Sequence, residues 1–268
     1  MRRDSPDLAS PRAGLDCPPV PRLFVAADQV QAGRAAVMGP DAAHLARSLR
    51  IRPGELVLVL DDTGIEHALR IDAVSDERVE GAVEWSRPAA AEAGPRVHVL
   101  QGLLQGGIDE CVDTLTQVGA YAVHPYVAER SISRPDAQRA VRRLERWRTI
   151  AREAAQQAFR GLAPEVHEAT TLAGALDRLP ANCLVLVAFV GAEQHIAAVD
   201  VDRGREVAVV IGPEGGLSPS EVGLLEGRGA RPVQLGTSVL RSRLAGTIAV
   251  ALLLASAART QVSREARP

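Results

Sequence analysis

Residues 207–221 read VAVVIGPEGGLSPSE, and this stretch decides the fold class. The uninterrupted apolar run at 207–211 is typical of a strand that is buried on both faces of a parallel sheet. The glycine-rich segment 212–216 ends the strand. Ser218, Pro219 and Glu221 then form a helix start signal: a capping serine, a proline at the first helical position and a glutamate three residues after the cap. The stretch therefore predicts one strand–loop–helix unit of an α/β fold.

The loop of this unit has the composition of a ligand-binding loop. Its three glycines, at positions 212, 215 and 216, leave backbone amides open and allow another molecule to come close to the main chain. In an open α/β sheet, ligands bind beyond the carboxyl ends of the strands, which is where this loop falls. The glycine spacing differs from Gly-x-Gly-x-x-Gly, so it does not indicate a dinucleotide. A tight turn that needs glycine only for its backbone is the alternative.

A second segment of the same kind lies at residues 233–243, which read VQLGTSVLRSR. A short strand closes on Gly236, and the apolar pattern that follows predicts a helix over 238–258. Arg241 and Arg243 then lie in its first turns, near the positive end of the helix dipole, where arginine is unfavourable. A bound phosphate or carboxylate would offset that cost, because the guanidinium fork matches such anions. Two solvated arginines on an exposed turn are the alternative.

The rest of the chain divides into a small β-rich region and a longer α/β region. Short apolar runs separated by turn signals predict a small β-barrel over residues 21–86. After a linker at 87–95, strands alternate with helices over 96–262, which predicts a parallel sheet covered by helices on both faces. Residues 1–20 contain four prolines and are expected to form a disordered tail, and residues 263–268 form a second tail.

The individual elements are predicted from apolar periodicity and turn signals. In the β-rich region, strands are expected at 22–25, 56–60, 67–71 and 79–83, with a short helix at 41–49. In the α/β region, strands are expected at 97–101, 122–125, 184–188, 207–211 and 232–235, and helices at 108–119, 136–159, 218–227 and 238–258.

The composition excludes several kinds of active site. All 31 basic residues are arginine, which excludes a P-loop lysine, a Schiff-base lysine and a lysine general base. Only 3% of the residues are aromatic and the net charge is -2, which argues against a nucleic-acid surface of stacked rings and against a general polycation. The three cysteines and six histidines show no metal-ligand spacing, so no metal site is predicted.

No segment has the pattern of a membrane span. The most apolar run, residues 244–258, is shorter than the roughly 20 residues that a bilayer requires, so a buried helix is expected there. The segment that follows Met1 has no apolar stretch of the kind found in signal peptides. A cytoplasmic protein without a membrane partner is therefore expected.

The two glycine-containing segments together resemble the SPOUT superfamily of RNA methyltransferases. Within it, the chain is most similar to the bacterial 16S rRNA uridine-N3 methyltransferase family, which has an Ile-Gly-Pro-Glu-Gly-Gly-Leu loop, present here at 211–217. The same family has a Leu-Gly-x-x-Val/Ile-Leu-Arg segment, present at 235–241. Its barrel and its central segments resemble residues 22–25, 44–54, 129–130 and 152–164.

This resemblance implies a fold, a reaction and partners. The implied fold is a SPOUT-type parallel sheet whose C-terminal segment is tucked into a trefoil knot, preceded by a PUA-like β-barrel that binds RNA. The implied reaction transfers a methyl group from S-adenosylmethionine to N3 of a uridine in 16S rRNA of the small ribosomal subunit, and the implied assembly is a homodimer. No metal is implied.

The resemblance and the residue types also assign a candidate site. The methyl donor is expected to lie against Gly212, Pro213, Gly215, Gly216, Leu235, Gly236, Val239 and Leu240. The candidate catalytic residues are Arg241, Glu214 and Ser242. The candidate RNA-binding residues, which lie close together in the barrel sequence, are Arg22, His44, Arg47, Arg50 and Arg52.

Three departures from the family pattern leave two other functions open. Residues 104–110 read LQGGIDE where the family has a basic turn, Thr114 replaces a residue that is basic in many members, and Ser242-Arg243-Leu244 replaces Thr-Glu-Thr. The first two remove positive charge, and the third exchanges an acid for a base. The alternatives are a SPOUT methyltransferase that acts on another RNA and an RNA-binding paralogue that does not methylate.

Overall fold

The computed structural model describes residues 20–61, 63–89, 94–131, 137–202 and 204–265. Parts of both predicted tails and of the predicted linker, namely 1–19, 90–93 and 266–268, lie outside the described residues. The chain forms two compact units, Met1–Pro88 and Ala89–Pro268.

The first unit is a six-stranded sheet with the order β1-β4-β5-β6-β3-β2. Its strands are β1 (Arg22–Val25), β2 (Val30–Gln31), β3 (Arg34–Met38), β4 (Leu56–Asp61), β5 (Ile65–Val74) and β6 (Arg78–Pro88). Strands β1 and β4 are parallel, and the other neighbouring pairs are antiparallel. The predicted helix at 41–49 is a short α-helix, α1 (Pro40–Ala43), which continues into a wider π-type turn at His44–Ser48.

The strands that sequence reasoning missed in this unit are β2 and β3. Strand β2 has only two residues, and β3 reads RAAVM, in which alanine, a residue depleted in strands, occupies the centre. Burial decides the conformation instead, because Ala35, Ala36 and Val37 are all buried in the core of the unit. Tertiary packing therefore overrides a weak local preference.

The second unit is a parallel sheet with helices on both faces, as predicted. The strand order is β10-β8-β7-β12-β11-β13, with β9 beside β8, and all of these pairs are parallel. The strands are β7 (Arg96–Gly102), β8 (Ala122–Val127), β9 (Glu165–Val166), β10 (Thr170–Thr171), β11 (Leu184–Ala188), β12 (Glu206–Ile211) and β13 (Arg231–Val233). The helices are α2 (Ile108–Val118), α3 (Ala137–Gln157), α4 (Leu172–Asp177), α5 (Pro219–Gly227) and α6 (Ser242–Glu265).

Alternation along the strands divides the core of this unit into two layers. One layer joins the sheet to α2, α3 and α6 and includes Val97, Val99, Val207, Val209, Leu115, Trp147 and Val250. The other joins the opposite face to α4 and α5 and includes Leu100, Ala208, Val210, Leu176 and Leu225. Each fully buried leucine or valine contributes roughly 1.5–3 kcal/mol of transfer free energy. These two layers hold the strand ends in place.

Helix α6 differs from its prediction at both ends. It begins at Ser242 rather than at 238, and it extends to Glu265 rather than ending at 258. The Arg241 carbonyl accepts the N–H groups of Leu244 and Ala245, so Arg241 precedes the helix and does not lie in its first turn. Contacts with distant parts of the chain set this start, and periodicity alone could not reveal them.

The apolar character of α6 is only partly explained by burial. Residues 242–259 have a mean hydropathy of 1.3, and by length and composition alone they could cross a membrane, but only 33% of this window is buried. One side of the helix lies in the core through Ala245, Ala249, Val250 and Leu253, as predicted for a buried helix. The other side is partly exposed.

Candidate active site

The site lies at the point where the strand order of the sheet reverses, between β7 and β12. Strands β7 and β12 are neighbours, but the chain leaves β7 towards β8 on one side and leaves β12 towards β13 on the other. In open α/β sheets, the crevice at such a switch point is the usual ligand site. Three segments contribute to it here: the loop 103–107 after β7, the loop 212–218 after β12 and the segment 234–241 after β13.

The loop after β12 ends in the capping arrangement that the sequence predicts. The Ser218 hydroxyl accepts the Glu221 N–H at 3.2 Å, and the Glu221 carboxylate accepts the Ser218 N–H at 2.8 Å. Pro219 is the first helical residue of α5. The other oxygen of Glu221 accepts the Glu129 N–H at 3.0 Å, so the buried carboxylate also ties the loop after β8 to this helix.

Two positions at this loop favour glycine, one because of a close approach and one because of its backbone conformation. A Cβ on Gly102 would lie 2.7 Å from both Pro213 N and Pro213 Cδ, so a side chain at this position would push the two loops apart. Gly216 has φ +70°, a conformation that favours glycine. Beside it, the Gly215 carbonyl accepts a hydrogen bond from Arg130 Nη1 at 3.1 Å. The loop is thus held from two sides.

The predicted donor-binding residues surround an open part of these loops. The Cβ positions of Gly216 and Gly236 have no atom within 4 Å, so the main chain there faces unfilled space. Val239 is 76% exposed, whereas Leu235 and Leu240 are partly buried against the core. Gly212 is partly buried and Pro213 is buried beneath the loop. An apolar floor with open backbone groups suits a flat, partly polar ligand.

The three candidate catalytic residues differ in what holds them. Glu214 is exposed and accepts the Gln105 N–H at 3.4 Å. The Ser242 hydroxyl donates to the Gly212 carbonyl and accepts a hydrogen bond from Gln101 Nε2 at 3.2 Å. Arg241 is exposed, and no hydrogen bond or ion pair with another described residue holds its guanidinium. Arg241 is therefore the group of the three that is available to an anionic ligand.

Comparison with known proteins assigns the family. Residues 92–254 match the family model of the RNA methyltransferase domain. The chain belongs to this family.

The relatives of this RNA methyltransferase include Ribosomal RNA small subunit methyltransferase E of Mycobacterium bovis, 30% identical over 223 residues that cover 81% of this chain and 84% of the relative. The protein of the same name from Bacillus subtilis is 27% identical over 226 residues, which cover 81% of this chain and 88% of that one. The resemblance drawn from the motifs is confirmed.

A solved structure shows the same fold. It is the crystal structure of Ribosomal RNA small subunit methyltransferase E from Neisseria gonorrhoeae bound to S-adenosyl methionine. The two structures superpose with a TM-score of 0.76 at 24% identity, covering 87% of this RNA methyltransferase and 95% of that chain.

Residues that depart from the family pattern contact one another in this RNA methyltransferase. Arg243 Nη1 lies 3.4 Å from Glu110 Oε2, so the arginine in the position of the family's acid pairs with the carboxylate at the end of the altered turn. One turn further along α2, the Thr114 hydroxyl bonds to the hydroxyl of Thr247 at 2.9 Å. Glu110, Thr114 and Arg243 therefore all belong to the contact between α2 and α6.

In the first unit, four of the five candidate RNA-binding residues are exposed: His44, Arg47, Arg50 and Arg52. Arg47 forms an exposed ion pair with Asp76 at 2.6 Å. The carboxylate of Glu55 accepts the backbone N–H of Arg52 at 2.9 Å. The Arg52 guanidinium takes no part in this hydrogen bond.

Arg22 is placed differently from the other four. Its side chain is only 13% exposed and lies 2.6 Å from Glu66, whose own side chain is 2% exposed. Burial lowers the pKa of Arg22, and Glu66 opposes this shift. Glu66 also pairs with Arg87 at 2.8 Å. Arg22 thus pairs with a buried carboxylate within the unit, and its contact with RNA stays a prediction.

Sequence reasoning missed a cluster of imidazoles at the amino ends of the strands. His98 bonds to Glu206 at 2.7 Å and to His124 at 3.1 Å, and the His124 ring stacks on His167 with centroids 4.2 Å apart. Burial, followed by the neighbouring charges of His167 and His98, lowers the pKa of His124 to about 3. No group of three metal-ligating residues that could hold an ion occurs in the described part of the chain. The cluster is a packed polar layer.

Proposed function

We propose that this protein transfers a methyl group from S-adenosylmethionine to N3 of a uridine in 16S rRNA of the small ribosomal subunit. The observation that carries the proposal is the open cradle of loops 212–216 and 235–241, with the exposed Arg241 at its edge. The names of the relatives and the ligand of the Neisseria gonorrhoeae structure support the same reaction.

The residues of the cradle fit the donor. The open main chain at Gly216 and Gly236 leaves room for the polar part of a nucleoside, and Leu235, Val239 and Leu240 offer apolar surface to its base. Gly212, Pro213 and Gly215 complete the donor-binding set. When bound, the donor supplies an electrophilic methyl group on a positively charged sulfur.

The chemistry requires an anionic nucleophile. As the bond from N3 to the methyl carbon forms, the carbon–sulfur bond breaks and its electron pair stays on sulfur, which becomes a neutral thioether. The N3 proton must leave, and we assign it to water. The negative charge that spreads over O2, N3 and O4 is stabilised by Arg241, an exposed cation at the edge of the site. Glu214 holds the Gln105 main chain and positions the loop after β7.

The larger assembly follows the family resemblance. The six-stranded unit acts as a PUA-like barrel whose His44, Arg47, Arg50 and Arg52 contact phosphates, and the C-terminal segment forms the trefoil knot. The partly exposed side of α6 pairs two chains into a homodimer, because it leaves apolar surface uncovered in one chain. The protein acts in the cytoplasm.

Nucleoside analysis tests the reaction. Purified protein is incubated with isolated small subunits lacking the modification and with donor carrying a labelled methyl group, and the 16S rRNA is digested and separated. Label in N3-methyluridine is the expected result. Label in another RNA from the same cells would favour a different substrate, and donor binding that is undetectable by calorimetry would favour a paralogue that does not methylate.

A double variant tests the RNA-binding role. Arg50→Ala with Arg52→Ala should lower affinity for the small subunit and reduce the slope of binding against salt by about 1–2, since each lost phosphate contact removes about one unit. Filter binding at two salt concentrations measures this, and Arg34→Ala, which breaks an exposed pair with Asp72 elsewhere in the sheet, is the control. Unchanged affinity with a lower melting temperature would show that the two arginines only stabilise the fold.

A further inference from the structure

Gln101 occupies a buried position that strand alternation would give to an apolar residue. It continues the row of Val97 and Val99 on the face of β7 that meets α6, and its side chain is 1% exposed. Burying an amide costs free energy unless its polar atoms form hydrogen bonds. A glutamine in this row therefore requires a reason other than packing.

The contacts of Gln101 join three segments of the site. Its Nε2 donates to the Gly102 carbonyl at 3.2 Å and to the Ser242 hydroxyl at 3.2 Å. The Ser242 hydroxyl in turn donates to the Gly212 carbonyl. One side chain thus connects the end of β7 with the first residue of α6 and, through it, with the start of the loop after β12.

This chain of hydrogen bonds fixes the direction of the serine proton. Because Gln101 Nε2 can only donate, the Ser242 oxygen accepts from it, and the serine proton points to the Gly212 carbonyl. The hydroxyl cannot give that proton to a substrate without breaking the contact with Gly212. Ser242, a candidate catalytic residue by sequence, is therefore a connecting group in this arrangement.

The oxygen of the Gln101 amide, Oε1, is enclosed by neighbouring atoms. Within the described chain, its Oε1 is buried without a hydrogen-bond partner. A Cβ on Gly246 of α6 would lie 3.3 Å from this oxygen. The amide is thus enclosed between the strand end and α6. Loss of its N–H groups would leave the Gly102 carbonyl and the Ser242 hydroxyl without this donor.

We infer that Gln101 is a positioning residue for methyl transfer, which sets the separation of the two donor-binding loops, 212–216 and 235–241, through Ser242. The inference rests on the proposed function, because it assigns the donor to those loops. Gln101 does not touch the reacting atoms. It acts by holding the Gly212 carbonyl and the start of α6 in one arrangement before the donor binds, so that binding does not have to order them.

Calorimetric titration with S-adenosylmethionine tests this role. The Gln101→Leu and Ser242→Ala variants should each raise the donor Kd by about tenfold, the effect of one lost buried hydrogen bond. The double variant should be no more than about twofold worse than either single variant, because both changes break the same chain of bonds. Ser242→Thr, which keeps the hydroxyl, should restore most of the affinity. Gln117→Leu, at an exposed glutamine of α2 whose side chain donates to Asp113, is the matched control.

Steady-state kinetics separate positioning from general destabilisation. The KM for donor should rise in Gln101→Leu while the KM for the small subunit stays within twofold of the wild-type value. A loss of stability alone would lower the fraction of active protein and kcat, and would leave the donor KM unchanged. That outcome, or additive effects in the double variant, would overturn the inference. If Gln101→Leu does not fold, the pair Ser242→Ala and Ser242→Thr decides by itself. A wild-type protein that does not bind the donor would instead refute the proposed function.

Discussion

The two ends of the parallel sheet use polar residues in opposite ways. At the amino ends of the strands, His98, His124 and Glu206 are buried or partly buried and bond to one another. At the carboxyl ends, the backbone at Gly216 and the Arg241 guanidinium are open to solvent.

The difference shows which polar residues are available for chemistry. Groups at the amino ends pack on one another, and burial lowers the pKa of His124, whose Nδ1 is buried without a hydrogen-bond partner in the described part of the chain. At the carboxyl ends, some groups bond to one another, as Ser218 does to Glu221, but the Arg241 guanidinium has no partner among the described residues and the main chain at Gly216 faces open space. The strongly lowered pKa of His124 therefore lies at the end of the sheet away from the proposed site. The proposed site is instead indicated by the open main chain at the carboxyl ends.

The largest effect is expected from closing the cradle. Gly216→Val should abolish detectable donor binding, because a branched side chain would fill the open space and oppose the left-handed backbone. Gly229→Val is the matched control, since Gly229 has φ +71° and equally open surroundings but lies after α5. Calorimetry and a melting curve are measured for both. Equal losses of binding in the two variants would mean that backbone strain, and not the cradle, is responsible.

A smaller effect is expected from the free cation. Arg241→Ala should lower the rate of methyl transfer by on the order of a hundredfold, the usual loss for one charge-stabilising group, while the small subunit still binds. Arg243→Ala, two residues later, removes a cation that Glu110 already holds, so its rate should fall by less than about fivefold. Single-turnover rates with saturating donor measure both. Similar rates for the two variants would place the developing charge elsewhere.

The smallest effect is expected at the amino ends, and it concerns stability. His124 has a pKa of about 3 in the folded protein against 6.5 as its ordinary value, so the unfolded chain binds more protons between these values. The free energy of unfolding should therefore fall as the pH drops below 6.5, by about 2 kcal/mol at pH 5 from this group. Burial also lowers the pKa of His167, which adds to the loss in the same direction.

Urea unfolding at pH 7 and pH 5 measures this loss. In His124→Leu the difference between the two pH values should shrink, although the variant is less stable at pH 7 because His98 loses one of its two partners. Donor affinity at pH 7 should stay the same, since the cluster lies at the other end of the strands. A changed donor affinity would show that the two ends are coupled.

Much of the architecture could be predicted from local pattern. The apolar run before Gly212 and the Ser218–Glu221 capping box act over a few residues, so their outcome does not depend on the rest of the chain. The parallel sheet follows from the alternation of such units. The start of α6 could not be predicted in this way, because the residues that hold Ser242 are remote in sequence.

The sequence by itself determined the fold class, the family and the two loops, because glycine, proline and capping residues act through their own backbone and near neighbours. Only the tertiary structure decided which of the arginine side chains are held by a partner within the described chain. Glu110 and Arg243 are 133 positions apart, and Gln101 and Ser242 are 141 apart. Arg241 remains available while Arg243 is paired with Glu110 and Arg22 with Glu66. A charge is neutralised by whatever the fold brings within about 4 Å of it, and no local pattern records that distance.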